Sequence, residues 1–139
     1  MKIIPFSMQH YSEVYKLWKL GNLTLGYSDE PDQIKRFANH NPEFFLVGML
    51  NDQIIGVVMG GFDGRRGYVH HLVVHPKYRR QGYGIALMQE LIQRFRRNKI
   101  EKLHLFVERR NAVVISFYEK LGWKIRSDLE MLSYVLLSA

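Results

Sequence analysis

The segment that most limits what this chain can fold into is residues 68–98. Residues 68–74, Tyr68-Val69-His70-His71-Leu72-Val73-Val74, are rich in β-branched and aromatic side chains and read as a strand. They run through His75-Pro76-Lys77-Tyr78 into Arg79-Arg80-Gln81-Gly82-Tyr83-Gly84. A helix follows over 82–98, with Ile85, Met88, Leu91, Ile92 and Phe95 on one face. A strand that feeds a long amphipathic helix predicts a layered α/β arrangement. The turn between them has a chemistry of its own. Its glycines let backbone approach a ligand without Cβ interference. The first N–H groups of the helix are unpaired, and the helix dipole favours an anion there. Arg79 and Arg80 add charge and forked donors. These are the parts of a pyrophosphate cradle. It is not a Walker loop, since no Lys-Ser/Thr follows the glycines, and not a full dinucleotide fingerprint, since Leu87 stands where the third glycine belongs.

The remaining pattern fills in the domain. Residues 1–6 read as a strand. Ser7 can cap a helix carrying Tyr11, Val14, Tyr15 and Trp18, which Gly21 ends. Pro31 suits the first turn of a short helix with Ile34, Phe37 and Ala38, broken by Asn41-Pro42. Apolar runs 44–50 and 54–60 flank the turn-like Asn51-Asp52-Gln53, and Asp63-Gly64 marks another turn. Residues 103–107 read as a strand and 112–121 as a helix. Strands at 123–126 and 131–137 are expected to close the fold. The order β-α-α-β-β-β-α-β-α-β-β predicts one α/β domain over residues 1–139, its mixed sheet antiparallel early and with a βα crossover in the middle.

Composition narrows the function classes. The 139 residues carry 20 Lys+Arg against 13 Asp+Glu, a net charge of +7, which suits a polyanionic partner. There is no cysteine, so thiolate zinc sites and a Cys nucleophile are excluded, and a reducing, cytoplasmic setting fits. No apolar run approaches the ~20 residues a membrane span needs. No metal is expected, because adjacent His70 and His71 point to opposite faces of an extended strand.

The motif Arg79-Arg80-Gln81-Gly82-Tyr83-Gly84 reads as Arg-x-x-Gly-x-Gly and resembles the acetyl-CoA signature of the GNAT (GCN5-related) N-acetyltransferase superfamily. The preceding Leu72-Val73-Val74-His75-Pro76 resembles the same family, and so does Asn111…Phe117-Tyr118-Glu119-Lys120-Leu121-Gly122-Trp123, which looks like its second cofactor motif. The resemblance spans essentially the whole chain. It implies a mixed central sheet with helices on both faces, and acetyl-CoA lying between two splayed parallel strands, here 68–74 and 103–107. Backbone groups of Leu72, Val73 and Val74 would then run along the pantetheine arm. The N–H groups of Arg79, Arg80, Gln81, Gly82, Tyr83 and Gly84 would hold the pyrophosphate, while Asn111 and Phe117 contact the cofactor. Val114 stands where the family has a small residue.

Catalytic roles follow by the same resemblance. Tyr118 sits where the family carries a general acid for the departing thiolate, with core packing as the alternative. For the base, the position where many relatives carry a Glu is Tyr68, and His70 sits where arylalkylamine N-acetyltransferases carry a His. Glu108 is the backup. Tyr27, Asp29 and Glu30 fall in the segment that lines the family's acceptor pocket, where Asp29, Glu30 and Asp32 could attract a cationic amine; the preferred reading of these acids is charge at the helix start around Pro31. The implied activity is direct acetyl transfer to a primary amine in a ternary complex. A nucleic-acid module, built on Arg94, Arg96, Arg97, Lys99, Arg109 and Arg110, is the lesser reading because no nucleic-acid motif accompanies them. A catalytically weak acetyl-CoA sensor is a third. Residues 131–137 leave a homodimer open, since that strand could pair between chains or within one.

Overall fold

The sheet grows outward from a two-residue turn. Asn51 and Asp52 both take positive φ, 49° and 63°, the backbone hand that matches the twist of a hairpin. They join β2 (Phe45–Leu50) to β3 (Gln53–Phe62) in antiparallel register, with Leu50 opposite Gln53. β1 (Lys2–Pro5) pairs antiparallel with β2, and β4 (Gly67–Val74) pairs antiparallel with β3. β5 (Leu103–Leu105) lies parallel to β4, reached through the crossover helix α3 (Tyr83–Arg97). The computed structural model, which describes residues 1–137, thus holds a five-stranded sheet in the order β1-β2-β3-β4-β5. By its internal contacts the chain forms two units, Met1–Leu105 and Phe106–Ala139.

In the first unit both faces of the sheet are covered. A short 3-10 turn, Met8–His10, precedes α1 (Tyr11–Leu20), and Pro31 opens α2 (Pro31–His40). These helices bury Val14, Leu17, Trp18 and Ile34 against Phe45, Val47, Val57, Met59 and Val73. Each fully buried side chain of this kind contributes about 1.5–3 kcal/mol. α3 takes the opposite face with Leu87, Met88, Leu91 and Phe95, the last stacked on Phe44 at 4.5 Å. Glycines make room for it. A Cβ on Gly56 would lie 2.8 Å from Leu87 Cδ1, and one on Gly60 would lie 2.7 Å from both Leu91 Cδ1 and the Phe44 carbonyl oxygen.

The second unit is built on α4 (Ala112–Lys120). Its end is a Schellman cap. Gly122, at φ 99°, donates to Glu119 O, Trp123 N–H donates to Tyr118 O at 3.1 Å, and the Trp123 and Tyr118 rings meet at 5.9 Å. The strands expected at 123–126 and 131–137 are a correction, because neither forms among the described residues. Their apolar, β-rich composition is a local preference, but a strand exists only where its backbone finds a partner. Leu132, Tyr134, Val135 and Leu136 are all exposed instead. No helix among the described residues is long and apolar enough to cross a membrane.

The close approach of α3 to the sheet gives a direct test. Gly60→Ala should cost about 1–3 kcal/mol, because the new methyl meets backbone that cannot turn away. Denaturant unfolding measures it, and an unchanged midpoint would show that both Leu91 and the Phe44 backbone can shift to admit the methyl.

Candidate active site

The site begins with an irregularity in β4. Val58 pairs with Leu72 and Gly60 pairs with Val69, so the two residues His70 and His71 oppose the single residue Met59. This is a β-bulge, which breaks the strict alternation of side chains. His70 and His71 therefore both line one cavity of about 470 Å³, together with Thr24, Ser28, Asp29, Gln33, Arg36, Phe37, His40, Asn41 and Met59. The expectation that His71 points to the opposite face is overturned, since period-2 reading cannot see an inserted residue.

The bulge also redirects the backbone. Before it, Gly67 N–H donates to Lys102 O on the β5 side, and after it His75 N–H donates to Ile55 O on the β3 side. Both are odd-numbered, so the sense of alternation has reversed between them. The backbone groups of Leu72 and Val74 accordingly face away from β3. Pairing with β5 covers only Gly67, Tyr68 and Val69, so among the described residues this edge of β4 runs on without a neighbouring strand. Val74 O accepts from Arg79 Nε at 3.2 Å, which anchors the following loop to the open edge. Val73, of opposite sense, is buried.

The two histidines have different surroundings. His71 Nε2 lies 2.9 Å from Asp29 Oδ1, its ring sits edge-on to Trp18 at 5.0 Å, and its Nδ1 lies 3.1 Å from His70 O. Asp29 is itself buried, and its Oδ2 accepts from Gly26 N–H at 3.0 Å. Its carbonyl accepts from Tyr11 Oη at 2.7 Å. His70 is open to the cavity, yet its ring is edge-on to Phe37 at 5.5 Å and stacked with Tyr68 at 6.3 Å. That packing strips water from the imidazolium and lowers the His70 pKa below 6.5; the neighbouring His71 pushes the same way and Asp29 opposes. His70 is thus neutral at pH 7, with a lone pair able to accept a proton.

The expected acceptor residues do not form one acidic wall. Both oxygens of Asp29 are engaged. Tyr27 is 55% exposed and accepts from Gln33 Nε2, and Glu30 is the exposed N-cap residue of α2 outside the cavity. Sequence reasoning missed Arg36, Phe37 and His40. Their signal was present, since Gln33, Arg36, Phe37 and His40 recur at i, i+3, i+4 and i+7, one face of α2.

The loop after β4 presents donors. The α3 ladder opens with Ala86 N–H to Gly82 O, so the N–H groups of Tyr83, Gly84 and Ile85 precede the first intrahelical bond. No side chain caps this end. Gly82 is left-handed at φ 86°, Arg80 likewise at 61°, and nothing lies within 4 Å of where a Gly82 Cβ would stand. Arg79, Arg80 and Gln81 are exposed. Residues 79–85 therefore fit an anionic phosphate group by donor chemistry and by space. At the far end of α3, Arg94 pairs with Glu90 and donates to Glu43 O, so part of the basic cluster is structural.

In the second unit, Asn111 is the N-cap residue of α4 and its carbonyl accepts from Ile115 N–H. Phe117 is half-buried, edge-on to Tyr118 at 5.3 Å. Tyr118 is buried, and desolvation pushes its phenol up to about 12. Glu108 is paired with Arg110 Nε at 2.6 Å. Among the described residues no three His, Asp or Glu side chains converge as a metal site would require.

The His70 environment carries a pH signature. An NMR titration should place its midpoint below 6.5, identified by the resonance lost in His70→Gln. Just below pH 6.5 the unfolded chain then binds more protons than the folded one. Stability contributed by neutral His70 is present above that pH and is lost as pH falls toward the folded midpoint. A midpoint at or above 6.5 would show the ring to be well hydrated.

The geometry agrees with the comparisons. Residues 11–123 match the family model described as Acetyltransferase (GNAT) family. An acetyltransferase of Yersinia pestis (strain Pestoides F) is 38% identical over 129 residues, 93% of this chain and 92% of that protein. An acetyltransferase of Pectobacterium atrosepticum is 38% identical over 124 residues, 89% of this chain and 88% of that one. Among solved structures, Ard1 from Thermoplasma volcanium superposes with a TM-score of 0.82 at 26% identity, covering 91% of this chain and 84% of that one. The PaiA N-acetyltransferase from Thermoplasma acidophilum, solved with coenzyme A, gives 0.77 at 18% identity, covering 91% and 92%. A sheet bulged at His70-His71, an uncapped helix start behind Gly82 and a family match across most of the chain lead to one assignment: this chain belongs to the GNAT family of acetyltransferases.

Proposed function

We propose that the chain transfers an acetyl group from acetyl-CoA directly to a primary amine, with both substrates bound at once. The observation that carries this is the β4 bulge. One inserted residue brings His71 to the cavity wall beside His70 and, further along the same strand, directs the Leu72 and Val74 backbone to an unpaired edge. A donor-lined edge and a cavity with a neutral base thus share one strand. The relative solved with coenzyme A has the same fold, which supports acetyl-CoA as the acyl donor.

In this reading the Leu72 and Val74 backbone accompanies the pantetheine arm and the N–H groups at residues 79–84 take the pyrophosphate. Asn111 and Phe117 contact the cofactor from α4. The amine arrives as an ammonium and must lose a proton before its nitrogen can attack the thioester carbonyl; His70 takes that proton. The new C–N bond forms, the C–S bond breaks with its electron pair leaving on sulfur, and the nitrogen releases its second proton to solvent as the neutral amide forms. With no cysteine in the chain, no Cys acyl-enzyme intervenes.

Tyr118 meets the sulfur as a donor of a particular kind. At about 12 its phenol holds its proton through the physiological range. An alkyl thiol ionises near 8.5, so full transfer to the thiolate is uphill by roughly three units before the cofactor is bound. Tyr118 therefore stabilises the developing thiolate chiefly as a hydrogen-bond donor, and bulk water completes the protonation. A reducing, cytoplasmic setting suits the cysteine-free chain.

Two variants test the assignment in a thiol-release assay with calorimetry alongside. Gly82→Val should weaken acetyl-CoA binding at least about tenfold, through strain at a left-handed position and a branched Cβ in the cradle; unchanged affinity would move the pyrophosphate elsewhere. Tyr118→Phe should lower kcat about ten- to a hundredfold with acetyl-CoA affinity little changed. An unaltered kcat would remove Tyr118 from the chemistry.

A further inference from the structure

The cavity at the bulge also indicates which amines it takes. Resting on the reading that this cavity is the acceptor site, we propose that the acceptor is a small amine that also carries a carboxylate, held at that end by Arg36. Asp29, a carboxylate in the cavity wall, already has a partner on each oxygen: Oδ1 at His71 Nε2 and Oδ2 at Gly26 N–H. Glu30 and Asp32 do not line the cavity. Asn41 is also spent, its Nδ2 donating to Phe37 O and its Oδ1 accepting from Phe62 N–H. The cavity therefore offers a second cationic centre no open carboxylate.

It does offer a carboxylate a partner. Arg36 is exposed on the cavity-lining face of α2 and makes no ion pair among the described residues. His40 lies one turn further on the same face and can add a donor. A guanidinium binds a carboxylate through two parallel hydrogen bonds, a match of shape as well as charge. Phe37 and Met59 also line the cavity and suit an apolar body. A volume of about 470 Å³ is the size of a small-molecule site. Placing the carboxylate at Arg36 leaves the amine for His70. Polyamines and other polycations would instead set a second positive charge against Arg36.

The test is a matched panel in the thiol-release assay. For a small, an aliphatic and an aromatic side chain, the free amino acid is compared with its primary amide and its decarboxylated amine, and one polyamine is added. The expected kcat/KM for at least one free amino acid exceeds those of its amide and decarboxylated amine by about tenfold or more. Arg36→Glu should abolish or invert that ratio, while Arg36→Lys keeps part of it. Because Arg36 is exposed and unpaired, the melting temperature of both variants should match the parent, so a changed ratio is not a folding effect. Amides, decarboxylated amines or the polyamine reacting as well as the amino acids, with His70→Gln slowing all of them, would overturn the carboxylate assignment and leave the acceptor cavity standing. A preference that survives in Arg36→Glu overturns it as well. If no amine is acetylated although calorimetry shows acetyl-CoA bound, the cavity is not the acceptor site for small amines, and both readings fall together.

Discussion

One inserted residue in β4 organises the first unit. Where Met59 faces both His70 and His71, the strand loses its period-2 order, and two consequences follow from the same backbone step. Two histidines come to one cavity, and the hydrogen-bonding sense of everything after them is reversed. Without the inserted residue, the Leu72 and Val74 backbone would be committed to β3 and the odd-numbered residues would face the open edge in their place.

The buried Asp29–His71 pair sets the character of the cavity. It joins Asp29 Oδ1 to His71 Nε2 while Gly26 N–H donates to Oδ2, which ties the loop before α2 to the bulge and leaves the neighbouring His70 as the accessible ring. Partial removal of His70 from water, between Phe37 and Tyr68, keeps that ring neutral. The division gives one histidine a structural bond and leaves the other its lone pair. The +7 charge, which at first suggests any polyanion, resolves into separate roles: Arg79 secures the loop to Val74, Arg94 ties α3 to residue 43, and Arg36 stands at the cavity.

Much of this was legible in the chain. The helices around Val14-Leu17-Trp18, Ile34-Phe37 and Met88-Leu91-Phe95 follow from apolar spacing, because a helix must bury one stripe. The hairpin at Asn51-Asp52 follows from residues that tolerate positive φ. The engagement of Asp29 was not legible, because sequence displays charge but not partners: it is buried and bonded rather than open. The closing strands failed for a related reason. Residues 123–126 and 131–137 have strand composition, but pairing is a property of two segments and cannot be read from one.

The sequence by itself determined the order of the elements as far as α4, the glycine-bearing turn into α3, and the residue types available for chemistry. These depend on local periodicity and on φ preferences that each residue carries with it. Only the tertiary structure decided that His70 and His71 share a wall, that Asp29 is spent, and that Arg36 from a helix 34 positions earlier meets them in one cavity. Those outcomes depend on strand register and on which polar groups find partners, and both are settled between segments distant along the chain.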